Sequence, residues 1–195
     1  MCGIVGYIGK NQDIRIGLEA LKRLEYRGYD SAGIAVLNRG RISVTKCVGK
    51  IADLEKILEN KTPKGKLGLG HTRWATHGRP SKENSHPHTD CKKELAIIHN
   101  GILDNYLEIR RMLAEEGHVF KSTTDTEVLV HLIEKYMAGD LEAAVRQALK
   151  EIEGSYAIAV IWKKDPTKIV VAKKGSPLLI GIGENESFIS SDIPA

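Results

Sequence analysis

Cysteine is scarce in this sequence: there are three in 195 residues (Cys2, Cys47 and Cys91), and none forms a CxxC pair. That excludes a disulfide framework and points to a reducing compartment. Long apolar runs are also missing. The longest, such as Tyr156 to Trp162, fall far short of the roughly 20 residues that span a bilayer, so no membrane partner is expected. The N-terminus shows neither a basic n-region nor a long apolar h-region, so a cytoplasmic protein is expected. Aromatic residues make up only 5%, and no run of five like charges accompanies the net charge of +4. With few bases to stack and no basic stripe, no nucleic acid partner is expected. What remains is ordinary for a soluble globular chain, 42% hydrophobic and 28% charged, and long enough to bury one core.

The pattern along the chain begins with a short β-type run, Ile4 to Ile8. Ile14, Leu18, Leu21 and Leu24 then recur at helical spacing, predicting a helix from about Asp13 to Glu25. Two strands, Ala32 to Leu37 and Ile42 to Val48, are joined at Asn38-Arg39-Gly40, a hairpin signal. A helix from Ile51 to Leu58, a linker from Lys61 to Lys66 and a strand from Leu67 to Thr72 follow. A long polar stretch runs from Ala75 to Lys93, and loops of that length are commonly functional or disordered. Leu95 to His99 reads as a buried strand ending at Asn100-Gly101. Helices are predicted around Tyr106 to Leu113, after the capping-box pattern Thr124 to Glu127, and from Leu141 to Ile152. The tail reads as strands: Tyr156 to Trp162, Ile169 to Ala172, Leu178 to Ile182 and Phe188 to Ser190. Strands at both ends with helices between them predict one α+β domain, its mostly antiparallel sheets packed face to face under helices.

Cys2 is the most informative residue for chemistry. A cysteine ahead of a strand is commonly core packing. Removal of Met1, however, leaves it with a free α-amine of ordinary pKa about 7.7–8.0, a base carried by the nucleophile itself. Asn100-Gly101 offers a carboxamide N–H and an unhindered backbone N–H to a developing oxyanion, although the dipeptide alone is equally a turn. Arg73 can grip a carboxylate bidentately or serve as a surface ion pair. Asp125 can receive an ammonium group or simply favour a helix N-terminus. Five histidines (His71, His77, His86, His88 and His99) crowd one region, yet none forms HExxH or has finger spacing. No metal and no cofactor are therefore expected.

Five segments then occur in order: Cys2 to Gly9, Arg23 to Gly33, Gly70 to Gly78, His99-Asn100-Gly101, and Thr124-Asp125-Thr126-Glu127. Together they resemble the glutaminase domain of the glutamine–fructose-6-phosphate aminotransferases, class II glutamine amidotransferases with an N-terminal nucleophile. The resemblance implies a four-layer αββα sandwich over residues 1–195, cut short at its C-terminal end, with sugar-isomerase domains absent from these residues. It implies hydrolysis of L-glutamine to glutamate and ammonia through a Cys2 thioester, the ammonia serving glucosamine 6-phosphate synthesis from fructose 6-phosphate. Cys2, Asn100, Gly101 and Arg27 would be catalytic. Arg73, Trp74, Thr76, His77 and Asp125 would bind substrate, with Trp74 on a mobile shielding loop. The partner implied is a sugar-isomerase domain normally in the same chain, in an enzyme expected to be a homo-oligomer. The alternatives are the related amidophosphoribosyltransferases, whose pattern departs from Tyr29-Asp30-Ser31 and Trp74 to His77, and a non-catalytic binding or metal module that keeps Met1.

Overall fold

The computed structural model describes residues 2–10, 15–59, 63–75 and 78–195. Two antiparallel sheets lie face to face. The larger has the order β3-β2-β4-β1-β10-β9 and the smaller β5-β6-β7-β8. In chain order the larger sheet takes β1 (Gly3–Gly9), β2 (Ser31–Asn38), β3 (Arg41–Val48), β4 (Leu67–Arg73), β9 (Leu179–Gly183) and β10 (Glu186–Ser190). The smaller takes β5 (His88–Thr89), β6 (Leu95–Leu103), β7 (Gly154–Trp162) and β8 (Asp165–Lys174). Helices α1 (Arg15–Arg23) and α2 (Ile51–Glu59) cover the first sheet. Helices α3 (Tyr106–Glu115), α4 (Asp125–Lys135) and α5 (Leu141–Ala148) cover the second. This is the expected four-layer αββα sandwich.

The alternation of side chains explains why the strands read as continuous apolar runs rather than as half-polar ones. Ile4, Ala35 and Leu37 point into the layer between the sheets, whereas Val5, Ile34 and Val36 face α1 and α2. In the same way Ile98, Ala157, Ala159 and Ile161 meet the first sheet, while Ile97, Ile158 and Val160 meet α3 to α5. Both faces of each central strand are dry, and successive side chains therefore fill two different cores. The four alanines in the intersheet layer (Ala35, Ala96, Ala157 and Ala159) are fully buried.

Most element boundaries move by one to three residues from the sequence reading, and three differences have physical content. The first helix is shorter than predicted: α1 ends at Arg23, and a 3-10 turn over Glu25–Arg27 follows it. The start predicted at Asp13 lies outside the described residues. The hairpin between β2 and β3 turns on Arg39 (φ 46°) and Gly40 (φ 72°), the two left-handed positions of a twist-compatible tight turn. Most important, the strand expected to stop at His99 continues through Asn100 and Gly101 to Leu103. The β7 partners Ala157 and Tyr156 carry the ladder straight across the Asn-Gly pair, so tertiary pairing overrides the local turn signal.

Candidate active site

The segment before β1 sets the nucleophile candidate in place. Gly3 N donates to Thr72 Oγ1 (3.2 Å) on the neighbouring β4, and Ile4 N donates to Ser191 Oγ (3.0 Å) beyond β10. A Cβ at Gly3 would meet Thr72 Oγ1 at 2.6 Å, so only glycine lets this strand start sit so close to β4. The half-buried Cys2 thiol accepts an N–H from Trp74 at 3.2 Å. Its carbonyl oxygen accepts from Asn100 Nδ2 (2.9 Å) and from Arg27 Nε (3.4 Å). Burial pushes the Cys2 thiol up, opposed by the Trp74 hydrogen bond and the nearby Arg73 charge. At neutral pH such a thiol holds its proton until a base removes it.

Every described member of the predicted set lines one cavity of about 300 Å³: Cys2, Arg27, Arg73, Trp74, Asn100, Gly101 and Asp125. That volume is at the small end of ligand pockets, which run from about 300 to 1,000 Å³, and suits a single amino acid. Thr76 and His77 lie outside the described residues. Arg73 ends β4, is 4% exposed, and donates from Nη2 to Gly78 O (3.1 Å). Asp125 opens α4. Its carboxylate accepts from Leu103 N (3.1 Å) and Thr126 N (2.9 Å), which aims it from the helix N-terminus toward β6. The cavity thus holds a cation and an anion, the pairing that an α-amino acid requires. Trp74 is half exposed and meets the Tyr29 ring edge-on at 5.6 Å.

Gly101 sits at φ 136°, and a Cβ there would come within 2.0 Å of Ser155 O on β7. Only glycine fits this wall. Asn100 is oriented by a residue that the sequence reading treated only as a possible metal ligand. His71 Nε2 faces two acceptors, Asn100 Oδ1 (3.0 Å) and His99 O (3.1 Å), so it must carry the proton and donate. That fixes the carboxamide with Nδ2 toward Cys2. One of its two hydrogens goes to Cys2 O, and the second is available to a ligand.

The described histidines of the crowded set, His71, His86, His88 and His99, are scaffolding behind this wall. His71 stacks on His86 with ring centroids 4.0 Å apart. His99 bonds Thr126 Oγ1 through Nδ1 (3.0 Å), and His88 Nε2 bonds Thr124 Oγ1 (3.1 Å). Burial pushes His71 down to about 3 and holds His86 and His88 well below the usual range. All three are neutral rings: His71 braces Asn100 on β6, and His86 and His88 brace the start of α4 through Thr126 and Thr124. Much of the polar stretch after β4 is therefore packed inside, with Asn84, Ser85, His86, His88 and Asp90 all buried.

Three further residues escaped the sequence reading. The Asp30 carboxylate accepts the Ala75 N–H and so anchors the chain after Trp74. Asp192 accepts from Arg27 Nη1 (2.5 Å) and from the Tyr26 phenol Oη (2.5 Å), which holds the guanidinium against Cys2 O. Ser191 ties the same tail segment to β1. Asp30 at least lay within a quoted motif; Ser191 and Asp192 carried no local signal.

A buried-face thiol at the head of a central strand, two antiparallel sheets and flanking helix layers define the class of the N-terminal-nucleophile hydrolase fold. A solved glutamine phosphoribosylpyrophosphate amidotransferase from B. subtilis superposes with a TM-score of 0.85 at 30% identity, over 97% of this chain and 42% of that one. A glutamine aminotransferase class-II domain protein from Silicibacter pomeroyi shares the fold alone, with a TM-score of 0.70 at 15% identity, over 97% and 88% of the two chains. In sequence, residues 71–195 match the family described as the glutamine amidotransferase domain, and the chain belongs to that family. Relatives named glutamine–fructose-6-phosphate aminotransferase (isomerizing) are 54% identical in Aquifex aeolicus and 52% identical in Pyrococcus horikoshii, each over the whole of this chain. The chain spans 33% of the length of those two relatives.

Proposed function

We propose that this chain hydrolyses L-glutamine to glutamate and ammonia, with Cys2 as the nucleophile once Met1 is removed. The observation that carries the reading is the single cavity in which the Cys2 thiol, the free Asn100 N–H, Arg73 and Asp125 converge. Arg73, with Thr76 and His77, holds the glutamine α-carboxylate, and Asp125 with Gly101 holds the α-ammonium. The Cys2 α-amine takes the thiol proton as Sγ attacks the side-chain carboxamide carbon. Charge collects on the carboxamide oxygen, where Asn100 Nδ2–H and Gly101 N–H receive it; such donors are worth about 3–4 kcal/mol each. The amine then gives its proton to the leaving nitrogen, and ammonia departs from a glutamyl thioester. Water, deprotonated by the same amine, cleaves the thioester to glutamate and restores the thiol. Arg27 orients the Cys2 backbone, and Trp74 shields the bound substrate.

In the longer protein we assign the ammonia to fructose 6-phosphate, through a sugar-isomerase domain in the same chain, giving glucosamine 6-phosphate. Support for this acceptor comes from the names and greater length of the 52–54% identical relatives. The test begins with the intact mass, which should lack Met1, and with glutamate release from glutamine. Cys2→Ala should abolish release while leaving the fold unchanged, and a glutamine analogue with an electrophilic side chain should modify Cys2 alone. Activity retained by Cys2→Ala refutes the assignment.

A further inference from the structure

Away from the cavity, further along α4, four side chains from three parts of the chain bring their donor atoms to one spot. They are Cys91 from the loop after β5, His118 from the loop after α3, and His131 and Glu134 on α4; their ligand atoms all lie within 4.8 Å of one another. We propose that these four residues bind a transition-metal dication, Zn²⁺ by preference.

The separations fit one ion. Tetrahedral zinc with bonds of about 2.0–2.1 Å to nitrogen or oxygen and about 2.3 Å to sulfur places N···N and N···O edges at about 3.3 Å and S···N edges at about 3.6 Å. Here His118 Nδ1 and His131 Nδ1 are 3.3 Å apart, and Glu134 Oε2 is 3.1 Å and 3.2 Å from them. Cys91 Sγ lies 3.6 Å from His131 Nδ1 and 4.0 Å from His118 Nδ1. One thiolate, one carboxylate and two neutral imidazoles sum to −2, which a dication neutralises. A soft sulfur with two imidazoles favours zinc-like ions over calcium or magnesium.

The surroundings distinguish this from a plain hydrogen-bonded cluster. His131 is 1% exposed, and its other nitrogen, Nε2, has no hydrogen-bond partner among the described residues and faces the Glu127 carboxylate at 4.0 Å. A lone pair on Nε2 would oppose that anion, so the proton belongs on Nε2, and the Nδ1 lone pair is directed at the common centre. The Glu127 charge, at 4.0 Å and without a hydrogen bond, thus sets the tautomer that a metal-bound histidine needs. Backbone N–H groups brace the other ligands: Val119 N donates to Cys91 Sγ (3.5 Å) and Cys91 N to Glu134 Oε2 (3.2 Å). Cys91 and His131 also line a surface groove, which gives an ion its entry. The ion would clamp two loops to α4, the helix whose first residue is Asp125.

The test uses purified protein carrying Cys2→Ala, so that the nucleophile cannot supply the thiolate, stripped with a chelator and titrated with Co²⁺. The expected result is one equivalent bound per chain, with a thiolate-to-cobalt charge-transfer band and the intense visible bands of a tetrahedral site. Zn²⁺ should displace the cobalt and raise the melting temperature. Cys91→Ser, at an exposed position, should lose the charge-transfer band, and His118→Ala should weaken binding by at least about 100-fold, each with an unchanged circular dichroism spectrum. No stoichiometric binding, or a charge-transfer band that survives Cys91→Ser, overturns the proposal. The cluster would then be an ion-paired imidazole–carboxylate group that takes no metal.

Discussion

Replacing Asn100 by alanine removes both ends of a carboxamide that the structure uses in two directions. On one side Oδ1 accepts from His71 Nε2, and on the other Nδ2 donates to Cys2 O with one hydrogen left over. The stability cost is small, because neither partner is stranded. His71 keeps His99 O at 3.1 Å, and Cys2 O keeps Arg27 Nε at 3.4 Å. Each net hydrogen bond is worth about 1 kcal/mol, so losing two costs about 2 kcal/mol, which for a domain of this size lowers the melting temperature by about 4–8 °C. On the proposed oxyanion role the catalytic cost should be much larger, because the spare N–H would meet charge that exists only in the transition state. Losing one such donor costs about 10²–10³ in kcat, with KM little changed. Glutamate release at saturating glutamine, run beside a thermal melt, measures both quantities on one sample. A kcat within about 10-fold of the parent would refute the oxyanion role of Asn100. A melting temperature that collapses would refute the claim that its structural bonds are redundant.

Arg73→Ala should raise KM for glutamine by about 10- to 150-fold, the equivalent of a charged hydrogen bond worth about 1.5–3 kcal/mol, with a smaller change in kcat. Steady-state kinetics decide this, and an unchanged KM removes Arg73 from carboxylate binding. Acid should destabilise the fold earlier than carboxylate titration would. Burial lowers the folded-state pKa of His71 from 6.5 to about 3 and pushes His86 and His88 the same way. A lowered folded pKa means that the unfolded chain binds more protons, so the stability is complete above pH 6.5 and is lost as pH falls toward 3. Each such ring removes up to about 1.4 kcal/mol per pH unit across that window. Melts from about pH 7 to pH 5 should show a steep fall, and a flat profile contradicts neutral buried histidines.

The order of most elements was legible because both faces of the central strands are apolar and the helices carry clear periodic stripes, whereas the four-layer arrangement came with the family resemblance and most element ends shifted by one to three residues. Thr124 was readable as a helix cap, and it accepts from Glu127 N as expected. The reciprocal half of that capping box is absent: Glu127 turns instead to Lys121 N, Ser122 N and Ser122 Oγ. Asn100-Gly101 shows the limit of local reading. The pair looks like a turn, yet its glycine is required by the approach of β7 at Ser155 and not by chain reversal. The residues that orient the cavity were invisible for a related reason. His71 acts on a carboxamide 29 positions away, and Asp192 acts on Arg27 across 165. Of Cys91, His118, His131 and Glu134, only the last two share a helical i,i+3 spacing, and three separate parts of the chain bring the four together.

The strand that carries Cys2 lies in the middle of its sheet, between β4 and β10. Its last partner is made almost at the far end of the described chain, with Val5 registered against Ser190. At ribosomal rates of about 5–20 residues per second, that partner emerges on the order of 10–40 s after the N-terminus. Throughout this interval β1 lacks its β10 partner, so the aminopeptidase that would expose the Cys2 amine meets an unfinished sheet. Synthesis of Ser191 and Asp192 then closes the window: one locks the head of β1, and the other locks Arg27 onto Cys2 O. On the proposed removal of Met1, this topology leaves trimming the interval before β10 completes the sheet, and the Ser191 and Asp192 contacts form last.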